Sequence, residues 1–464
     1  MNRPSSPATS YLIRLIFPAI CIGVAFFTVR FIQRPAEKPT PAHISAPTPE
    51  AVLGRMPLPD TTTTTGKLLA AALQKTRTSP SDPKNWILTG DVLAQLQRET
   101  EAPRYHDAAE AAYLEALRRA PKSAAALAGM AWVTGGRHQF DKSIEWGNQA
   151  LAADPECIDA LGILGDAALE LGDYDLAFEH YQKMMDLRPD LSSWSRGAHL
   201  LWLSGETNKA MTLMAKAIAA GAPFAENTAW CRVQMATMLF HQGALPPAED
   251  TIRPLLEAES RNSHLLLLAA RIAAAKGDFS LAEKHYHTLL EAGPHPQAYA
   301  GIGNLMNAQG KAEAAAEFYL KVENLHTAHV KDGVHDHGFM AKFLADTDRN
   351  LIEALRMAEE HKLTKNVQEA DTLAWVYYKN GMLPQAVAAM KTALSQKTPD
   401  PEIHYHAGMI ASAYGDLTSA RKHLKQALAM NPHFSLTQAP LAVKALQQLD
   451  APKSITQADT AGEP

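Results

Sequence analysis

In the stretch HTAHVKDGVHDHGF, His326 to Phe339, five side chains could bind a transition metal: His326, His329, His335, Asp336 and His337. Imidazole and carboxylate donors suit Zn²⁺, Ni²⁺ or Cu²⁺. His326 and His329 are three apart and share a face on a helical end, whereas His335 and His337 converge only from an extended segment. A working site needs three or four donors at about 2.0–2.2 Å from the ion, with each ring fixed by a further partner. Gly333 and Gly338 loosen the segment and work against such fixing. Two readings therefore stand side by side: a metal-handling or metal-sensing loop using His326, His329, His335 and His337, and a polar junction between packed elements. The second is preferred, and no cofactor is expected.

Other chemistry is sparse. No H-E-x-x-H, G-x-S-x-G, Walker or Rossmann signature occurs, so no enzyme is expected and no catalytic residue is assigned. The three cysteines, Cys21, Cys157 and Cys231, form no C-x-x-C pair. They support neither a zinc knuckle nor a disulfide framework. His285/His287 and His404/His406 are two residues apart on predicted helices and point in nearly opposite directions, so neither pair can chelate one ion. A net charge of −5 without a long basic run excludes nucleic acid as the expected partner.

The elements that position these residues follow a ruler. A small residue recurs at Ala109, Ser143, Ala177, Ala210, Ala248, Ala282, Ala315, Ala354, Ala386 and Ala420, at spacings of 34, 34, 33, 38, 34, 33, 39, 32 and 34. Gly172, Gly205, Gly243, Gly277, Gly310, Gly381 and Gly415 each stand five residues before it. Small residues let two helices approach closely, and the glycines end the first helix and turn the chain. In the unit Leu161 to Pro189, Leu161, Leu164, Gly165 and Ala168 fill the first helix, Ala177 and Tyr181 the second, and Pro189 closes it. The histidine stretch occupies the longest gap, between Ala315 and Ala354.

This pattern resembles the tetratricopeptide repeat (TPR). The segments HDHGFMAKFLADTDRNLIEAL, DTLAWVYYKNGMLPQAVAAM and HYHAGMIASAYGDLTSARKHLKQALAMNPHF are similar to long bacterial TPR proteins with an N-terminal membrane segment. The resemblance implies an all-α, right-handed solenoid of about ten helix hairpins and a scaffold that binds a protein or peptide. The expected layout is a tail (1–10), a transmembrane anchor or signal peptide (11–32), a Pro/Thr-rich disordered linker (33–65), a capping helix (66–81), the repeat array (82–432), a closing helix (433–449) and a disordered tail (450–464). The stretch YLIRLIFPAICIGVAFFTVRFI carries the anchor expectation, its uncharged run extended by the snorkelling of Arg14 and Arg30. It implies a single-pass bacterial membrane protein with the array on the periplasmic side.

In such an array the first helix of each hairpin lines the inner surface. Aligning the repeats places Trp132, Asp166, Glu170, His199, Trp202, Phe240, Arg271, Asn304, Phe339, Phe343, Trp375, Tyr378 and Tyr405 there. Aromatics make up only 7% of the chain but eight of these thirteen, as suits capture of a peptide or helix. The expected partner-binding residues are Trp132, His199, Trp202, Phe240, Arg271, Asn304, Phe343, Trp375, Tyr378 and Tyr405. The same aromatics could instead pack between neighbouring repeats.

Overall fold

The computed structural model describes residues 48–54, 59–221, 224–258, 260–331, 337–360, 362 and 364–451. The chain divides into two compact units, Met1–Ser45 and Ala46–Pro464, and every described residue lies in the second.

Among the described residues the structure is all helix. It opens with α1 (Pro49–Leu53) and α2 (Thr64–Thr78). Ten hairpins follow, the first five being α3 (Pro83–Thr100) with α4 (Pro103–Arg119), α5 (Ala124–Gly136) with α6 (Phe140–Ala153), α7 (Ile158–Glu170) with α8 (Tyr174–Leu187), α9 (Leu191–Leu203) with α10 (Thr207–Ala220), and α11 (Ala225–His241) with α12 (Leu245–Glu257). The next five are α13 (Ser263–Ala275) with α14 (Phe279–Leu290), α15 (Pro296–Ala308) with α16 (Ala312–Lys331), α17 (His337–Asp346) with α18 (Leu351–Glu359), α19 (Val367–Lys379) with α20 (Leu383–Ala393), and α21 (Pro401–Tyr414) with α22 (Leu417–Met430). α23 (Gln438–Asp450) closes the series.

The recurring small residues explain the pairing. All ten are buried, none more than 2% exposed, because each sits where the second helix crosses the first. All seven predicted glycines take a positive φ, between 70° and 96°. A side chain there would meet the preceding carbonyl, so glycine is favoured. At the one hairpin where His138 holds this place, its φ is 57°. Successive first helices pack on one another along the array, and second helices pack on their own hairpin and the next first helix, the backbone approach being loosest at the step from α15 and α16 to α17. The first helices therefore form the tightly stacked inner layer.

Part of the expected linker is helical. Thr48 and Thr63 cap α1 and α2, accepting from the Ala51 and Gly66 amides, and Pro49 starts α1 with the φ a first turn requires. Arg77 of α2 pairs with Glu50 of α1 at 2.6 Å. The closing helix begins at Gln438, later than sequence periodicity suggests, because Asn431 to Thr437 runs first across the inner face.

The membrane expectation is corrected. Among the described residues no helix is long and apolar enough to cross a bilayer, so the single-pass assignment, and with it the periplasmic placement, is not upheld. The segment 11–32 that motivated it lies outside the described residues.

Candidate binding cleft on the inner face

Each first helix turns one face towards its own second helix and another towards the interior of the coil. A tyrosine of the second helix lies against a glycine of the first and reaches past it to an inner-face acceptor. Tyr113 donates to Asp91 at 2.9 Å, Tyr181 to Asp166 at 2.8 Å and Tyr319 to Asn304 at 2.8 Å. Arg196, from the next first helix, binds Asp166 through two contacts of 2.8 Å. Inner-face polar residues are thus fixed by the same hairpin contacts that build the fold.

Remote turns of the array also meet. Asn366 Nδ2 donates to the Leu169 carbonyl at 3.4 Å, Thr398 Oγ1 to Leu203 at 2.7 Å and Asn431 Nδ2 to Phe240 at 2.7 Å. The Val367 amide donates to the Tyr174 hydroxyl at 2.9 Å. The carbonyls lie at the ends of α7, α9 and α11, where the i+4 helical donors run out; those of Leu169 and Phe240 also accept from the turn glycines Gly172 and Gly243. Asn366, Val367 and Thr398 lie six hairpins further along the array than their acceptors, and Asn431 lies at the end of the tenth hairpin, five after that of Phe240, so one turn of the coil is clasped to the next.

The coil encloses a cleft of about 590 Å³ between α11, α13, α15, α17, α19, α21 and residues 433–438. Phe240, Arg271, Asn304, Phe339 and Phe343 line it. Arg271 is exposed and its guanidinium lies 4.7 Å above the Phe240 ring. A charged cluster also lines the cleft: Lys342 Nζ is 2.7 Å from Glu402 and 3.8 Å from Asp346. Asp346 also accepts from Trp375 Nε1 and Gln438 Nε2, both at 2.8 Å. Behind it the fully buried His406 places Nδ1 2.9 Å from both Asp371 oxygens and stacks on Trp375. Burial works against the Lys342 ammonium, but Asp346 and Glu402 outweigh it and hold the group charged. Burial raises the Asp346 carboxyl above its ordinary range, and the Glu402 charge adds to this.

The ten residues expected to meet a partner do not share one environment. Trp202, Phe240, Phe343, Trp375 and Tyr405 are buried. Trp132, His199, Asn304 and Tyr378 are half-buried, and Arg271 is exposed. His199 stacks against Trp202 with ring centres 6.1 Å apart, while Trp375 stacks on Tyr378 at 4.9 Å. Several of these aromatics therefore build the wall between repeats, and the cleft gathers four of the ten: Phe240, Arg271, Asn304 and Phe343.

Sequence reading passed over Lys342, Asp346, Glu402 and Gln438. Lys342 and Asp346 look like an ordinary exposed i,i+4 pair on a helix. The available signal was spacing: Asp371 and His406 are 35 residues apart, about one repeat, which puts them at matching positions on neighbouring first helices. Of the opening histidine stretch, His326 and His329 lie on α16 and His337 starts α17. The His326 and His337 rings are 6.0 Å apart, and His337 Nδ1 is 2.5 Å from Glu360. His335 and Asp336 lie outside the described residues. Among the described residues no three donor groups are placed to hold an ion.

A sequence profile for the tetratricopeptide repeat matches residues 135–192, 267–325 and 372–434. No curated protein matches the chain. Among solved structures, PilW, described as a widely conserved type IV pilus biogenesis factor, is similar at 17% identity and a TM-score of 0.37, covering 43% of this chain and 92% of PilW. PilF of Pseudomonas aeruginosa is similar at 21% identity and a TM-score of 0.35, covering 45% and 90%. A tetratricopeptide repeat protein from Parabacteroides merdae is similar at 16% identity and a TM-score of 0.36, covering 55% and 99%.

Proposed function

Because this chain is a tetratricopeptide-repeat protein, we propose that it is a scaffold without catalytic activity that captures a protein or peptide partner on its inner face, at the cleft between α11 and α21. The supporting observation is Arg271, an exposed guanidinium stacked on a buried aromatic ring inside a concave site. Arginine and aromatic side chains on a rigid surface are the anchors that dominate protein recognition. Here they project from stacked helices, so little side-chain freedom remains to be lost on binding. Lys342, Asp346 and Glu402 fix orientation rather than affinity, as partly exposed charges do.

A photo-crosslinking residue tests this reading. Placed at Arg271 or Thr347 in the full chain, it should give a discrete adduct with a partner in native extract. Placed at Lys216, exposed on α10, it should give none. Adducts from Lys216 alone, or from no position, would refute the inner-face site.

A further inference from the structure

A helical hairpin carries its own turn at one end and its connection to the next hairpin at the other, so a stack of hairpins has two unlike rims. The clasp brings these rims together. Gly172, Gly205 and Gly243, in the turns of the third, fourth and fifth hairpins, lie against the connections at Lys365–Asn366, Lys397 and Met430–Asn431. The approach is close: a Cβ on Gly205 or Gly243 would stand 2.9 or 2.7 Å from the carbonyl oxygen of Lys397 or Met430. At the first hairpin the turn residue Glu101 accepts from Ser263, at the connection into the sixth. The later turns are bare. Among the described residues a Cβ on Gly277, Gly310, Gly381 or Gly415 would meet nothing within 4 Å. The connections show the reverse order. Asn366, Thr398 and Asn431 are 8%, 3% and 0% exposed, whereas Pro121, Pro155, Glu156 and Pro189, in the connections between the first four hairpins, stand open to solvent. Two free rims are left, each of a kind that the clasp already pairs: turns of the late hairpins and connections of the early ones. Tyr414, 55% exposed beside Gly415, stands on the first.

We propose that a second copy of this chain docks its early connections on the late-turn rim, so that copies stack head to tail and carry the coil onward. Continuity selects this occupant: within one chain, connections of the same kind already cover the turns of the third, fourth and fifth hairpins. Because the two rims differ, the contact is heterologous. Each added copy leaves one rim of each kind free, so assembly proceeds beyond a dimer. Backbone at the turns and polar residues at the connections make the contact a polar one, as reversible interfaces are. The proposal goes beyond the inner-face reading and does not depend on it.

Cross-linking of the purified full chain tests this. A photo-crosslinking residue is placed at Tyr414 on one rim, at Glu156 on the other, and at Lys216, exposed on α10, as a control. Each is mixed with isotopically heavy protein, so that links between copies are told from links within one. Tyr414 should link to the connections within residues 120–190 of another copy, and Glu156 to the turns within residues 276–416. Lys216 should give no link between copies. Sedimentation should show a mass that rises past the dimer with concentration. Tyr414→Asp should weaken that association about tenfold, with an unchanged thermal melt. Links confined to a single copy, links from Tyr414 to the same rim of another copy, or no link between copies up to about 100 µM would each overturn the proposal. So would association that Tyr414→Asp leaves unchanged, since it would then run through another surface.

Discussion

Gly165 and Tyr181 show how single residues set the spacing of a hairpin. A Cβ on Gly165 would lie 2.3 Å from the Tyr181 ring, and the same clash would arise at Gly303 against Tyr319. Gly165→Leu should therefore cost about 2–3 kcal/mol through overpacking, read as a lower denaturant midpoint with local loss of exchange protection. Both residues were legible because they fill the positions of a known helix pair. The charged cleft residues were not, since burial by a segment nearly one hundred positions away leaves no local trace. A second residue-scale test uses pH. Burial, with the neighbouring His423 charge, lowers His404 to about 4. A base harder to protonate in the folded than in the unfolded chain contributes stability that is complete above about 6.5 and is lost as pH falls towards 4. The window corresponds to about 3 kcal/mol. Wild-type stability should fall across it, and His404→Gln should flatten that part of the profile. An unchanged profile in the variant would remove His404 from the account.

At the scale of elements, periodicity exposed the hairpins because each buries its face against its own neighbours. The ten small residues and seven glycines were enough to mark every second helix and most turns. The clasp was hidden for the opposite reason. Asn366, Thr398 and Asn431 look like ordinary helix-boundary residues, and their acceptors lie 197, 195 and 191 positions away. Asn431 is fully buried, and without it the Phe240 carbonyl at the end of α11 keeps only the local backbone donor Gly243, while the tie between the two turns is lost. Asn431→Ala should cost about 1–3 kcal/mol, with exchange protection falling at the end of α11 and around residues 431–438 together. Loss confined to 431–438 would show that the two turns are not joined there. The exposed surface gives the contrast: the Arg77–Glu50 pair between α1 and α2 should be worth less than about 1 kcal/mol and fade with salt.

At the scale of the molecule, the cleft exists because the array coils far enough for its late repeats to meet its early ones. A repeat array held only by nearest neighbours flexes along its length. Bonds made five and six hairpins apart remove that freedom and fix Arg271 relative to Lys342, Asp346 and Glu402. The most direct test is the exchange rate of one amide. Val367 is the first residue of α19, a position whose N–H has no acceptor within the helix. In the coiled array it donates to the Tyr174 hydroxyl, 193 residues earlier in the chain. Hydrogen–deuterium exchange resolved to single residues should find this amide protected in the wild type and deprotected in Tyr174→Phe, with the α19 core unchanged. A Val367 amide that exchanges freely in the wild type, or is equally slow in Tyr174→Phe, would contradict the clasped coil.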